Sequence, residues 1–438
     1  MISHLRGIVR SVASIKGLSL LGGGLLSGVY YAVIHNRQHR MMNTYAAGNI
    51  QPTAKNNNQI LYFSRPKLER KIEDVLKSSL KSDYYIIKGE VGCGKTRLIV
   101  ETIRRLIDTD GVELKGAPIY VGVTRGSSFV NNLANAVNYY YSEDDEEANR
   151  LLKAFIHIDT LTALDEKTQL TKILREIERT SLIYVTKRKR SAVLVIDDVD
   201  SLLKQMPGAL ELLQMKAKLW ADWSTVKVVF VIHDDETERL LQEDSGNWSR
   251  AAVPIYVRDL SKEEAKEFLL RRDDNLNNAD DLTANNQETT NSKETEMQKK
   301  HDIWMNGKDA EECVRWVGGR MVHLVELKRK FSPKKQITTI LKEMRIRERM
   351  KFSVVSRNPS LLKVVSTLKV AANQEMELSA LIKETSANDV NALLKANIVR
   401  IRRNRRGTIV MFQSELTRWI AEDMYSSTTH SKAVTATS

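Results

Sequence analysis

The feature that most constrains this chain is the run Gly89-Glu90-Val91-Gly92-Cys93-Gly94-Lys95-Thr96. It satisfies the pattern G-x-x-x-x-G-K-[ST] at each fixed position. Residues 84–88 before it are aromatic and β-branched, which predicts a strand, and residues 97–106 after it carry apolar side chains at helical spacing. Strand, glycine loop and helix form the context that a phosphate-binding loop needs. Glycines let successive backbone N–H groups turn inward onto phosphate oxygens, and the helix N-terminus adds the positive end of its dipole. The expectation is an ATP site contacted by Gly89, Glu90, Val91, Gly92, Cys93, Gly94, Lys95, Thr96 and Arg97. Lys95 would reach the β- and γ-phosphates, and the Thr96 hydroxyl would ligate Mg2+.

A second run agrees with the first. Residues 192–196 are continuously apolar and end in Asp197-Asp198. Such a run predicts a strand buried on both faces of a parallel sheet, with its carboxylates at the edge where ligands bind. Asp197 is the second candidate for Mg2+, Asp198 would orient the attacking water, and Asp200 is a weaker candidate two residues on. Residues 227–232 predict another strand, ending at His233. His233 is either a contact to the γ-phosphate or water, or a polar cap on the strand end. Arg250, before a further strand at 253–257, is either an arginine finger for a neighbouring subunit or a surface side chain. The acidic run 143–147 reads as a solvated loop or helix start.

These motifs, with about a hundred residues between them, resemble the AAA+ branch of the P-loop ATPases. Trp316-Val317-Gly318-Gly319-Arg320 with Leu324, the strand ending His233-Asp234-Asp235, and Leu260 to Lys266 narrow the likeness. Over roughly residues 61–350 the chain resembles the ATPase part of the mitochondrial escape protein 2 family, and also archaeal-type ATPases related to origin-recognition proteins. That resemblance implies an α/β nucleotide domain, a helical lid, Arg320 as the lid arginine that senses nucleotide, and an inner mitochondrial membrane location. The chain lacks the RNA-recognition module of the mitochondrial family. It also has Asp198 where most such enzymes have Glu, and His233 where they have Asn or Thr, which implies slow turnover.

The N-terminus points to an address and an anchor. No acidic residue precedes Glu69, and residues 1–16 combine an apolar helical face with Arg6, Arg10, Ser11 and Ser14. This is the composition of a mitochondrial transit peptide or of a basic membrane flank. Residues 17–34 are uncharged and about 27 Å long as a helix, so 17–36 is expected to be a single transmembrane helix in the inner membrane. Residues 37–60 are polar and read as a linker.

The domain plan is therefore an ATPase domain at 61–260, a helical lid at 261–352 with a disordered insertion at 273–300, a winged-helix-like unit at 353–425 and a polar tail. The net charge of +13 makes anionic partners plausible. Arg400, Arg402, Arg403, Arg405 and Arg406 crowd one hairpin, so nucleic acid, anionic lipid or a protein is its candidate partner. Two cysteines, Cys93 and Cys313, imply no disulfide framework. The fold class expected is a P-loop α/β domain with a parallel sheet flanked by helices. The function expected is a membrane-anchored Mg-ATPase, with homo-oligomers a further expectation. The alternatives are a slow or non-hydrolysing switch and a tethered nucleic-acid-binding protein regulated by ATP.

Overall fold

In the computed structural model, nine strands are found among the described residues: β1 (Asn49–Ile50), β2 (Tyr85–Gly89), β3 (Ile119–Gly122), β4 (Ala192–Asp197), β5 (Val226–Ile232), β6 (Ile255–Val257), β7 (Glu375–Glu377), β8 (Val399–Asn404) and β9 (Gly407–Phe412). The structure describes residues 34–50, 62–77, 82–109, 118–124, 126–139, 165–233, 235–271, 305–331, 336–353, 358–371, 374–396, 398–404 and 407–424. The acidic run 143–147, the insertion 273–300, Arg405, Arg406 and the tail lie outside them.

The chain divides into two units. The first takes in residues 64–88 and 95–256 together with the N-terminal residues through 57, and the second takes in 58–63, the loop 89–94 and everything from Val257 onward.

In the sheet of the first unit the order is β1-β3-β4-β5-β2-β6. The pairings β1 with β3, β3 with β4, β4 with β5 and β5 with β2 are all parallel. β4 and β5 are buried at every position, because helices cover both faces and leave no side for water. Helices Phe129–Ala136, Glu166–Arg188 and Ala209–Asp222 contribute Leu133, Ile173, Leu174, Leu213 and Trp220 to the core. One charged residue sits inside β5: Lys227, 1% exposed. Its ammonium donates to the carbonyls of Val75 (3.2 Å) and Lys77 (2.8 Å). These lie at the C-terminal end of helix Pro66–Leu76, where orphan carbonyls need donors.

The N-terminal expectation is corrected here. Among the described residues no helix is long and apolar enough to cross a membrane, so the single-pass inner-membrane placement is not supported. Residues 17–33 lie outside the described residues. Residues 34–36, read as the end of the span, lie in a helix described over residues 34–47. That helix buries Met41 and Tyr45 in the core of the first unit, with the Tyr45 ring edge-on to Tyr184 at 5.7 Å. β1 follows and pairs with β3. The first half of the expected linker 37–60 is thus part of the ATPase core. Its polarity belongs to the outer face of an amphipathic helix, not to a solvated connection.

The second unit is helical at first. Helices Lys262–Leu270, Gly307–Val317, Met321–Lys330 and Ile337–Lys351 meet around Phe268, Cys313, Val317, Leu324, Leu327, Ile340 and Met344. Ser261 and Glu264 form a reciprocal capping box at the first of them. Burial pushes the Cys313 thiol up to about 12, so it behaves as a small apolar side chain. Helices Pro359–Val370, Leu378–Glu384, Ala387–Lys395 and residues 415–424 accompany a three-stranded antiparallel sheet of order β7-β9-β8.

Candidate nucleotide site

The end of β4 collects hydroxyls and carboxylates. Asp197 is 5% exposed. Its Oδ2 accepts from the Thr96 hydroxyl at 2.7 Å and from the Tyr120 phenol at 2.6 Å, and its Oδ1 accepts from the Asp198 N–H at 2.9 Å. Burial and then the Asp197 charge hold the Tyr120 hydroxyl far above the usual phenol range, so it remains a donor. The carboxylate is therefore fixed beside Thr96, and Thr96 is the second residue of helix Lys95–Thr109. Lys95, the first, is buried. Arg97 pairs with Glu101 one turn on, at 3.1 Å.

Asp198 turns the chain. Its φ of +59° is left-handed, uncommon for a residue other than glycine, and it precedes helix Val199–Gln205. Its carboxylate accepts from Ser201 Oγ at 2.7 Å and lies 3.5 Å from His233 Nδ1. Burial raises the Asp198 carboxyl above its ordinary range; Ser201 and His233 oppose this, and Asp200 and Asp197 add to it.

Asp200, the weaker candidate from sequence, is 6% exposed. Its Oδ2 accepts from the backbone N–H of His233 at 2.8 Å and meets the ring Nδ1 at 2.9 Å. Burial favours its neutral form, yet the bonds from His233 and Thr237 win and hold the carboxyl below its ordinary value. His233 moves the opposite way. Burial lowers it, the Asp200 bond and charge raise it, Lys95 lowers it and Asp198 raises it, leaving the imidazole above its ordinary value. The ligand-type atoms of Asp198, Asp200 and His233 all lie within 4.8 Å of one another. Tyr120, Ser201 and Asp200 carry no motif signal; only their one-strand or one-turn separation from Asp197 and Asp198 could have pointed to them.

The loop residues 89–94 belong to the second unit, and there they meet Arg320. Gly92 and Gly94 have φ of +83° and +95°, conformations that only glycine adopts freely. The Val322 N–H donates to the Gly92 carbonyl at 3.0 Å. Arg320 is 3% exposed. Its guanidinium pairs with Asp259 at 2.9 Å, donates to the Val91 carbonyl at 3.2 Å and bonds the Glu90 carboxylate. The glycines before Arg320 explain its placement. The N–H of Leu260 donates to the Gly319 carbonyl at 2.9 Å, and a Cβ on Gly319 would fall 1.8 Å from the Leu260 carbonyl oxygen.

Arg400, expected on an exposed basic wing, also bonds Glu90. Burial and then Arg402 pull its guanidinium down to about 10, and its side chain is 22% exposed. Arg402 is exposed. The side chains of Arg403, Arg405 and Arg406 lie outside the described residues. Arg250 pairs with Asp222 of its own chain at 2.5 Å and is partly exposed.

Comparison with known proteins agrees with this geometry. Residues 62–289 match the model of a family described as an ATPase domain predominantly from Archaea. No curated protein matches the chain. Among solved structures, the Walker-type ATPase paby2304 of Pyrococcus abyssi is 13% identical, with a TM-score of 0.50 over 82% of this chain and 96% of that one. The ORC2 protein of Aeropyrum pernix, solved in ADPNP-ADP complexes, is 12% identical, with a TM-score of 0.47 over 87% and 99%. At such identities the first likeness speaks for the fold alone. The family match covers a little over half of the chain: this chain belongs to the archaeal-type P-loop ATPase family.

Proposed function

We propose that the chain binds Mg-ATP at Lys95, Thr96 and the end of β4, and hydrolyses it. The observation that carries the reading is the Thr96–Asp197 contact, a helix-borne hydroxyl and a strand-borne carboxylate 2.7 Å apart. Their hard oxygens suit Mg2+, and Tyr120 and the Asp198 N–H already orient the carboxylate. Thr96 and Asp197 would hold the ion, which supplies charge neutralisation at the β- and γ-phosphates. Lys95 adds a point charge to the same phosphates. Backbone N–H groups of the loop bind the phosphate oxygens without loss of side-chain entropy. Asp198 and His233 orient the attacking water.

The relay of nucleotide state runs through Glu90. Its carboxylate holds Arg320 and Arg400 at once, so a change in the loop is felt by the helix Met321–Lys330 and by β8. We read the helices and sheet at 358–424 as a winged-helix-like unit that this relay moves. With Arg400 turned onto Glu90, protein is favoured over nucleic acid as its partner. A second reading, a switch that binds ATP but scarcely turns it over, draws support from Asp198. It is one carbon shorter than Glu, and Ser201 already bonds its carboxylate.

The test is a titration of the full chain with Mg-ATP, beside Lys95→Ala. Loss of one charge-assisted hydrogen bond in a buried site should weaken affinity about 10- to 100-fold. Equal affinity in the two proteins would place ATP elsewhere and end the reading.

A further inference from the structure

We propose that His233 is the residue that takes the proton of the attacking water through its Nε2, and that buried Asp200 is its positioning residue. The proposal rests on the ATPase reading above and deepens it. Its argument begins with Asp200. One oxygen of this buried carboxylate accepts from the His233 backbone N–H at 2.8 Å and sits 2.9 Å from the ring Nδ1. A carboxylate that receives the backbone N–H is an acceptor at that oxygen. Nδ1 must then carry the hydrogen, and in the neutral ring the lone pair lies on Nε2. Both the backbone and the ring of one residue are tied to one atom, so the imidazole has little freedom about its side-chain torsions. This is the arrangement of an oriented base: a ring that can accept a proton, with a buried carboxylate behind it to stabilise the cation that results.

The position fits the task. His233 directly follows β5, and β5 pairs with both β2, which leads into the phosphate loop, and β4, which ends in Asp197. Lys95, the phosphate-reaching residue, acts electrostatically on the ring, as do Asp198 and Asp200. Helix Asp235–Glu243, next in the chain, presents Thr237 to Asp200, while Glu238 is taken up by Lys88 at 2.5 Å. The ring remains partly open, at 31% side-chain exposure. Asp198 has one oxygen taken by Ser201 and the other 3.5 Å from Nδ1 of the same ring.

In the step itself, the water oxygen forms a bond to the γ-phosphorus while the bond from that phosphorus to the β–γ bridging oxygen breaks. ADP leaves with the bonding electron pair. The water proton passes to Nε2, and the imidazolium, held against Asp200, later returns it to solvent.

The experiment uses the full chain. In nucleotide-free protein, 15N NMR of His233 should show the Nδ1–H tautomer at high pH, and Asp200→Asn should abolish that preference. In steady-state hydrolysis, His233→Ala and Asp200→Asn should each lower kcat, by about 100-fold and at least about 10-fold, as for loss of a positioned base. KM and Mg-ATP affinity should stay within about threefold. The double variant should be no slower than His233→Ala, because Asp200 acts only through the ring. The acidic limb of the pH–rate profile, where the rate falls as the ring is protonated, should move to lower pH in Asp200→Asn. A mobile Nε2–H tautomer in the wild type overturns the positioning claim without recourse to activity. So does a double variant whose defect is the product of the single ones, or a loss of affinity that matches the loss of rate. A wild-type protein that binds Mg-ATP but does not turn it over overturns the base role as well. Failure of the ATPase reading is separate: it shows as absent or Lys95-independent Mg-ATP binding, whatever the histidine tautomer.

Discussion

At Gly319 a single hydrogen atom decides whether Arg320 reaches its partners. A methyl group there would fall 1.8 Å from a backbone oxygen, and no rotation relieves a clash with main chain. Gly319→Ala should therefore cost about 1–3 kcal/mol or more in urea denaturation; a loss below about 0.5 kcal/mol would mean that the Leu260 contact yields freely. Asp200 and His233 make a pH-dependent prediction. His233 has its folded pKa raised above an unfolded value near 6.5, so its pairing stabilises fully below about pH 6.5 and fades as pH rises through the raised value. Asp200 has its folded pKa lowered, so its contribution is present above about pH 4 and fades as pH falls. The stability gap between wild type and Asp200→Asn should be widest between about pH 4 and pH 6.5, measured by melts across that range; a gap that grows toward pH 9 contradicts the pairing. Residue-scale legibility followed motif strength. Lys95 and Thr96 stand out in the sequence because phosphate chemistry fixes the spacing of their pattern. Asp200 and Glu90 were named there, but their partners were not legible, since tertiary approach sets them, here by His233 and by two distant arginines.

At the scale of elements, β4 was legible as an uninterrupted apolar run, β5 as one that follows Lys227, and β8 and β9 as a hairpin. β6 is shorter than the run 253–257 suggested, beginning at Ile255 after Pro254, and a proline cannot donate to a ladder. The helix at 34–47 was missed because few of its side chains are apolar. Only tertiary burial of Met41 and Tyr45 reveals its inner face. It yields a sharp prediction. A chain starting at residue 61 lacks β1 and both of these side chains, and should melt well below a chain starting at residue 34. Losing one large buried side chain is worth about 2–5 kcal/mol. Equal melting temperatures would show that the segment only rests on the core.

For the whole molecule, the family was legible because two motifs and their order along the sheet leave little choice of fold. The membrane placement was not. An uncharged N-terminal run of minimal length is shared by many fates, and the helix described over residues 34–47 packs into the ATPase core. On the basic hairpin, Arg400 bonds Glu90 of the phosphate loop while Arg402 is exposed. Within the first unit Thr96 meets Asp197, and within the second the loop residues Glu90 and Val91 meet Arg320. The central claim is that Lys95, Thr96 and the end of β4 serve a working ATPase. The most direct measurement is steady-state phosphate release from saturating Mg-ATP by the full chain, beside Lys95→Ala and with Mg2+ removed. The account predicts sustained release of many phosphates per chain, falling at least about 100-fold in both controls. Release that persists in Lys95→Ala, or that stops at one phosphate per wild-type chain, would contradict it.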